Sequence, residues 1–511
     1  MSDQRPVPAQ WPSNVAVLPF DDANADLVRL AAPSDWRNPT AQPRYHLVVI
    51  GGGTAGLVSA AAAAGLGARV ALIERSLMGG DCLNFGCVPS KALIHGARVA
   101  FAENAGKPAS NPARFTDVMR RLRRVRADLA VVDSVVRFQK LGIDVFQGAA
   151  HFVGRDRVQV GDQVLHFRRA IIATGARAAV PPIPGLGDTP YRTNETIFEL
   201  TERPDRLTVI GGGPIGSELA QAFARLGTRT TLVNGGARLL ARDDEDAAGV
   251  VARSFANDGV AVHNNAVISK VSHRDGVFTV DAAVGETSHH FESESLLVAT
   301  GRTPNIETLS LETAGVEYNK RGVTVNDQFQ TSNSSVYAIG DVASALQFTH
   351  LADAQARLAV ANALFFGIGG GRNSGLVVPR CTYTSPEVAH VGMTPGDAET
   401  RGIRVDTVRV DLAHVDRAVI DDASDGFLKV YLRAGTDTIL GGTLVAEHAG
   451  EMISELSVAI TNGLGLNAIG RTIHPYPTQG EIFRKAADAW RKRKLTPRVA
   501  ALFRAWFRIF K

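Results

Sequence analysis

Leu47-Val48-Val49-Ile50-Gly51-Gly52-Gly53-Thr54-Ala55-Gly56 reads as a buried strand running into a glycine-rich turn. An alanine-rich helix follows to Gly65, and Val70-Ala71-Leu72-Ile73 forms the next strand, ending on Glu74. Gly51, Gly53 and Gly56 permit a tight turn and close approach to a pyrophosphate, whose charge the helix N-terminus stabilises. An acid on the second strand accepts hydrogen bonds from a ribose, and Glu74, 23 residues after Gly51, suits that role. A lone GxGxxG is a weak signal; strand, helix, strand and acid together make it a strong one.

The pattern recurs. Leu207-Thr208-Val209-Ile210 precedes Gly211-Gly212-Gly213-Pro214-Ile215-Gly216, then a helix to about Leu226 and the strand Thr230-Thr231-Leu232-Val233. Two dinucleotide units, the second built on Gly211, Gly213 and Gly216, imply two cofactors. Here the residue 23 positions after the first glycine is Asn234, not an acid, which removes the usual preference for an unphosphorylated ribose. Arg229 and Arg238 are candidates to neutralise a 2′-phosphate, so the second cofactor is written NAD(P)H, with a slight lean to NADPH. Ala170-Ile171-Ile172-Ala173-Thr174-Gly175 and Leu296-Leu297-Val298-Ala299-Thr300-Gly301-Arg302 each read as a buried strand closing a nucleotide-binding sheet. A further strand, Val336-Tyr337-Ala338-Ile339-Gly340-Asp341, ends in an acid fit to bind polyol hydroxyls. His350-Leu351-Ala352-Asp353 then opens an alanine-rich helix, whose N-terminus suits negative charge on a reduced isoalloxazine.

Between these units lies Gly79-Gly80-Asp81-Cys82-Leu83-Asn84-Phe85-Gly86-Cys87-Val88-Pro89-Ser90-Lys91. The chain holds three cysteines, and two this close together read as a local redox couple rather than a disulfide framework. Five residues of α-helix rotate by about 500°, which puts the two thiols on different faces, so bonding them demands a break in the helix. Gly79, Gly80 and Gly86 permit one. Cys381, alone before Thr382-Tyr383-Thr384, reads as a structural thiol.

At roughly 150 residues per domain, 511 residues suggest about three domains, and 45% apolar residues fill substantial cores. Apolar runs are shorter than the roughly 20 residues that cross a bilayer, and the N-terminus, with Asp3, Arg5 and Trp11, lacks a signal-peptide core. A cytoplasmic enzyme is expected. The formal charge of +4 is a property of the tail: residues 491–511 carry eight Lys and Arg and no acid. That gives no case for nucleic-acid binding. Within the tail, Val499, Leu502, Phe503, Trp506, Phe507 and Phe510 recur at helical spacing with Arg504, Arg508 and Lys511 opposite. Residues 495–511 therefore suit either peripheral contact with an anionic membrane or docking on the body or partner subunit. From about Gly375 strand patterns (Ala389–Gly392, Val405–Leu412, Phe427–Leu432) and a helical stretch, Glu451–Asn462, predict an α+β domain.

From Tyr45 to Arg484 the chain resembles the class I pyridine nucleotide-disulfide oxidoreductases, the family of glutathione reductase, dihydrolipoamide dehydrogenase and mercuric reductase. The resemblance implies an α/β fold with two Rossmann-like dinucleotide-binding domains, for FAD and NAD(P), and a C-terminal α+β dimerisation domain. It divides the chain into an extension (1–43), an FAD domain in two segments (44–190 and 306–374), an inserted NAD(P) domain (191–305), an interface domain (375–490) and the basic tail (491–511). It implies a homodimer, FAD held by Gly51, Gly53, Gly56, Glu74, Gly80, Thr174, Gly175, Asp341 and His350, and a nicotinamide nucleotide by Gly211, Gly213, Gly216, Asn234 and Gly301. Cys87 becomes the thiolate against the flavin and Cys82 the thiol that attacks substrate. Lys91 takes the place of the lysine near the flavin, also a cofactor contact, with Glu218 as its ion-pair partner.

The resemblance departs from the disulfide reductases near the C-terminus. Their His-x-His-Pro-Thr-x-x-Glu reads His474-Pro475-Tyr476-Pro477-Thr478-Gln479-Gly480-Glu481 here, with Tyr476 where the proton-shuttling histidine stands. A tyrosine, with pKa near 10, donates a hydrogen bond but shuttles protons poorly at neutral pH. His474 is a candidate base or metal ligand, and Glu481 keeps the place of the glutamate. Mercuric reductase also has a tyrosine in this region, so that branch is the closest resemblance, although no cysteine follows Cys381 to hand on a metal. The expected acceptor is a metal ion, a small disulfide or a quinone; the alternative is a dihydrolipoamide dehydrogenase-type subunit of a larger complex.

Overall fold

The structure is a computed structural model that describes residues 15–365 and 367–510. Asp3, Arg5 and Trp11 of the extension and Lys511 of the tail lie outside the described residues. The chain forms two compact units. The first holds the chain up to Gly235 and again from Asp258 to Gly375; the second holds Gly236–Asn257 and the chain from Leu376 on.

The first unit is built on a sheet whose central strands are apolar on both faces, because helical residues such as Leu27, Leu57, Ala60 and Ala356 pack on one face while Phe152, Val158, Val160, Leu309 and Val316 pack on the other. Helix α1 (Asp22–Ala31) precedes strand β1 (Tyr45–Ile50), helix α2 (Thr54–Gly65) and strand β2 (Val70–Glu74). The short helix α3 (Gly80–Asn84) and the long helices α4 (Cys87–Glu103) and α5 (Pro112–Ala130) lead to β3 (Ile143–Gln147), β4 (Ala150–Gly154), β5 (Arg157–Val160) and β6 (Gln163–Ile172). The sheet order is β3-β2-β1-β6-β5-β4, with Val336–Ala338 added parallel to β6. Strand β1 runs parallel to β2 in the register Leu47↔Val70 and to β6 in the register Leu47↔Arg169. Glu74 therefore ends beside the glycine turn, as the motif predicts. The strand leading to Asp341 stops at Ala338, and Gly340–Val342 form a tight turn that carries the acid.

The second nucleotide motif repeats this plan on a parallel four-stranded sheet, ordered Ala261–His263, Arg229–Val233, Arg206–Ile210 and Ser295–Val298. An antiparallel three-stranded sheet, Ala266–Ser293, packs beside it through Val271, Phe278 and Val280 against Leu296 and Val298.

The N-terminal extension holds a helix that composition did not disclose. Asp21 caps α1 by accepting a hydrogen bond from Asn24 N (2.9 Å), and Leu27, Val28 and Ala31 enter the core formed by β1, β2 and α2. Each of the larger two contributes about 1.5–3 kcal/mol by leaving water. Arg123 and Arg126 of α5 hold the helix in place. Arg123 pairs with Asp21, while the buried Arg126 bonds Asn24 and donates to Asn84 O (2.8 Å).

The second unit is a five-stranded antiparallel sheet, ordered Arg380–Thr382, Glu387–Gly392, Ile439–Ala446, Phe427–Arg433 and Val405–Asp411. The helix Glu481–Lys494 covers it with Ile482, Phe483, Ala486, Ala487 and Trp490, the one-sided spacing of an amphipathic helix. The helical stretch predicted over Glu451–Asn462 is two helices, Ala449–Met452 and Ser454–Thr461, joined at Ile453. The C-terminal helix Pro497–Ile509 begins at a Thr496 cap with proline in its first turn, and none of its residues is buried. No described helix is long and apolar enough to cross a membrane.

Candidate active site

The cysteine pair sits where one helix fails and another starts. Gly79 takes a left-handed φ of 92° to open α3, which ends at Phe85; Gly86 then caps α4, whose first residue is Cys87. A Cβ on Gly86 would crowd Asp81 O at 3.0 Å, and one on Gly79 would lie 2.3 Å from Leu83 Cδ2, so it is Gly79 that the break requires. With the helix interrupted, the two thiols come within hydrogen-bonding contact of each other, both free.

Cys87 is exposed and Cys82 half-buried. The Cys82 thiol donates to Cys87, the Thr349 hydroxyl lies 3.3 Å from Cys87 Sγ, and the Lys91 ammonium stands one helical turn away. Those contacts, led by Cys82, outweigh burial and bring the Cys87 pKa down to about 6. The same hydrogen bond and burial push Cys82 upward. Two helix N-termini converge on this sulfur: α4 begins at Cys87, and the helix Thr349–Leu364 begins at Thr349. Both favour a thiolate. Lys91 Nζ pairs with Glu218 Oε2 at 2.9 Å, joining α4 to the helix Pro214–Arg225 behind the second glycine motif.

Gly51, Glu74, Arg75, Gly148, Thr174 and Asn305 line an open cleft at the carboxyl ends of β1 and β2. Here the residues fit FAD. The Glu74 carboxylate accepts from Gly52 N (2.6 Å) and Ser76 N (2.7 Å) and keeps lone pairs for ribose hydroxyls; burial raises its pKa. A Cβ on Gly56 would lie 1.8 Å from Gly51 O, and one on Gly80 2.5 Å from Gly53 Cα, so the turn stays open for a pyrophosphate at the start of α2. Asp341 faces Arg302, whose Nε lies 3.4 Å from Asp341 Oδ2 and whose Nη2 lies 3.1 Å from Asp81 Oδ2. Burial raises the Asp341 pKa. Thr174 bonds the carbonyl of Asn305 (2.7 Å), Gly175 and Gly301 both have positive φ, and Arg302–Pro304 pairs antiparallel with Ala176–Ala178 between the two sheets. His350 is exposed, its ring stacked on Phe348 with centroids 5.3 Å apart.

At the second motif Gly211 has φ 116°, Gly213 caps the helix Pro214–Arg225, and a Cβ on Gly216 would lie 2.0 Å from Gly211 O. Asn234 occupies the place of Glu74: a Cβ on Gly212 would meet its Cγ at 2.7 Å. Its amide donates to Asn264 Oδ1 (2.8 Å). Arg238 spends its guanidinium on the carbonyls of Leu240, Ala241 and Asp243.

His474, Tyr476 and Glu481 belong to the second unit. Tyr476 is 69% exposed, and its hydroxyl donates to Asp416 Oδ2 at 2.9 Å, which raises its pKa. Both nitrogens of the His474 ring face acceptors, Thr472 O at 3.1 Å and Glu455 Oε1 at 2.9 Å. Glu481 is buried against Arg484, and its Oε2 makes no hydrogen bond. Cys381 lies near Glu387, 4.0 Å from its carboxylate.

Sequence reading overlooked four residues beside the thiols. Thr349 touches Cys87; Arg302 holds Asp81; Asn194 donates to Asp81 Oδ1 (3.0 Å) and Phe85 O (3.2 Å); Arg126 binds Asn84 between the two cysteines. Thr349 alone adjoined a sequence signal: the helix predicted from His350 begins one residue earlier, at Thr349.

Two dinucleotide-binding sheets with a dithiol at a helix start define a flavin- and nicotinamide-dependent oxidoreductase. Residues 45–356 match the family described as pyridine nucleotide-disulphide oxidoreductase, and residues 378–487 match its dimerisation domain. The chain belongs to this family. It is 33% identical to a mercuric reductase of Lysinibacillus sphaericus over 93% of this chain and 89% of that one. Identity is 36% to a mercuric reductase of Acidithiobacillus ferrooxidans (87% and 82% covered) and 34% to the dihydrolipoyl dehydrogenase of Bacillus subtilis (86% and 95%). Among solved structures, the Cu(II) complex of the HOCl-induced flavoprotein disulfide reductase RclA from Escherichia coli superposes with a TM-score of 0.78 at 29% identity, covering 88% of this chain and 99% of that one. The protein is thus an NAD(P)H-dependent flavoprotein disulfide oxidoreductase that takes FAD and a pyridine nucleotide, and its dimerisation domain supports a homodimer.

Proposed function

We propose that reducing equivalents from NADPH reach the Cys82–Cys87 pair and leave it through Cys82 for a soft metal ion. Bound FAD supplies a carrier that accepts hydride and donates electrons onward. The residues assigned to hold it are Gly51, Gly53, Gly56, Glu74, Gly80, Thr174, Gly175, Asp341 and His350, with Lys91 near its reactive ring and Glu218 fixing that lysine. Gly211, Gly213, Gly216, Gly301 and Asn234 receive the nicotinamide nucleotide. NADPH is the proposed donor because Asn234, unlike an acid, does not repel a 2′-phosphate.

Cys87 rests as the thiolate and Cys82 as the thiol that meets the acceptor. Closing the pair to a disulfide releases two electrons and the Cys82 proton; one Hg(II), or two Cu(II), take up both electrons. The observation that carries the choice of acceptor is Tyr476, bonded to the Asp416 carboxylate and so a still weaker acid than a free tyrosine. His474 is engaged at both ring nitrogens, by Thr472 O and Glu455 Oε1. With Tyr476 in the place of the proton-shuttling histidine, an outgoing thiolate is poorly supplied with protons, whereas a metal ion needs none. The mercuric reductases among its relatives and the Cu(II)-bound neighbour point the same way.

The test is NADPH oxidation by the holoenzyme with Cu(II), Hg(II), a quinone, glutathione disulfide and lipoamide. Metal-dependent turnover is expected to exceed lipoamide turnover by about 10²-fold or more, the lower end of the 10²–10⁴ that general acid–base catalysis supplies. Robust lipoamide reduction would instead favour the dihydrolipoamide dehydrogenase-type reading.

A further inference from the structure

Among the described residues, nothing covers the apolar face of the helix Pro497–Ile509. Leu502 is 70% exposed, Trp506 55%, Phe507 68% and Ile509 76%, although such side chains are ordinarily the first to be buried. At 100° per residue, Val499, Leu502, Phe503, Trp506, Phe507 and Ile509 fall within an arc of roughly 160°, with Arg504 and Arg508 on the far side. The Trp506 and Phe510 rings pack at a tilt of 38° with centroids 4.3 Å apart, joining two turns into one aromatic ridge. The helix is roughly 20 Å long, too short to span a bilayer and suited to lying along one.

Charge selects the occupant. Residues 491–511 carry eight Lys and Arg and no Asp or Glu. Arg491, Lys492, Arg493 and Lys494 end the preceding helix, whose body is anchored by the buried Phe483 and Trp490. A cluster of one sign repels a second copy of itself but matches the anionic face of a phospholipid bilayer, where aromatic side chains settle at the headgroup boundary. We propose that this helix is an interfacial anchor that holds the enzyme on anionic membrane surfaces. It goes beyond the redox reading and stands whatever the acceptor proves to be.

The experiment uses the full-length holoenzyme with phosphatidylglycerol-containing vesicles and with neutral phosphatidylcholine vesicles, scored by co-sedimentation, with molar mass from light scattering. Expected is at least about tenfold stronger binding to the anionic vesicles, weakened by salt. Phe503→Glu with Trp506→Glu and Phe507→Glu should abolish binding. Arg498→Gln with Arg504→Gln and Arg508→Gln should remove the preference for anionic lipid. All variants should keep wild-type mass and NADPH oxidation in solution. Two results would overturn the proposal: equal or absent binding to both vesicle types, or a fall in molar mass in the aromatic variant, which would show the face covered by another copy.

Discussion

Cys87 draws a hydrogen bond from Cys82, another contact from Thr349, an ammonium at Lys91 and two helix starts, all favouring the thiolate. Because its pKa is lowered to about 6, the thiolate should form as pH rises through that value and be lost below it. In the reduced enzyme, a long-wavelength absorbance from a thiolate against oxidised flavin should titrate with that midpoint. Lys91→Met should move the midpoint upward, by removing the cation that favours the thiolate. An unchanged midpoint would remove Lys91 from the account. Tyr476→His tests the acceptor reading: glutathione disulfide or lipoamide turnover should rise by roughly tenfold or more as a group of suitable pKa replaces a phenol. No gain would mean that proton supply is not what limits disulfide reduction.

The two glycine turns are sterically alike, so the same substitution in each should give separable failures. Gly56→Ala puts a methyl 1.8 Å from Gly51 O and should yield protein depleted of flavin, read from the absorbance ratio after purification. Gly216→Ala puts one 2.0 Å from Gly211 O and should leave flavin in place while raising the KM for NADPH by about tenfold or more. Both turns were legible in the sequence, because a close backbone approach leaves no choice but glycine. Helix α1 was not. Its buried apolar positions, Ala23, Leu27, Val28 and Ala31, sit among polar residues, and what orders it is Arg126 and Arg123, about a hundred residues away. Leu27→Ala should cost about 2–5 kcal/mol in a denaturant titration, the loss expected at a fully buried leucine. A change near zero would mean that the extension contributes nothing to the core.

For the molecule as a whole, the order of motifs already described two nucleotide-binding sheets and a following α+β region. Contacts that close the active site are of another kind: Thr349 lies 262 residues from Cys87, and Arg302 reaches back to Asp81. No periodicity or spacing encodes such pairs; they arise when Val336–Ala338 joins β6 and sets the following helix over the thiols. On the proposed route, electrons from the nicotinamide nucleotide arrive at Cys82 and Cys87. Anaerobic titration of the holoenzyme with NADPH tests it most directly. The account predicts that the first equivalent produces the long-wavelength thiolate-to-flavin band, which is missing from Cys87→Ser and present without reductant in Cys82→Ser. The band persisting in Cys87→Ser, or a first equivalent that simply bleaches the flavin in the wild-type protein, would contradict it.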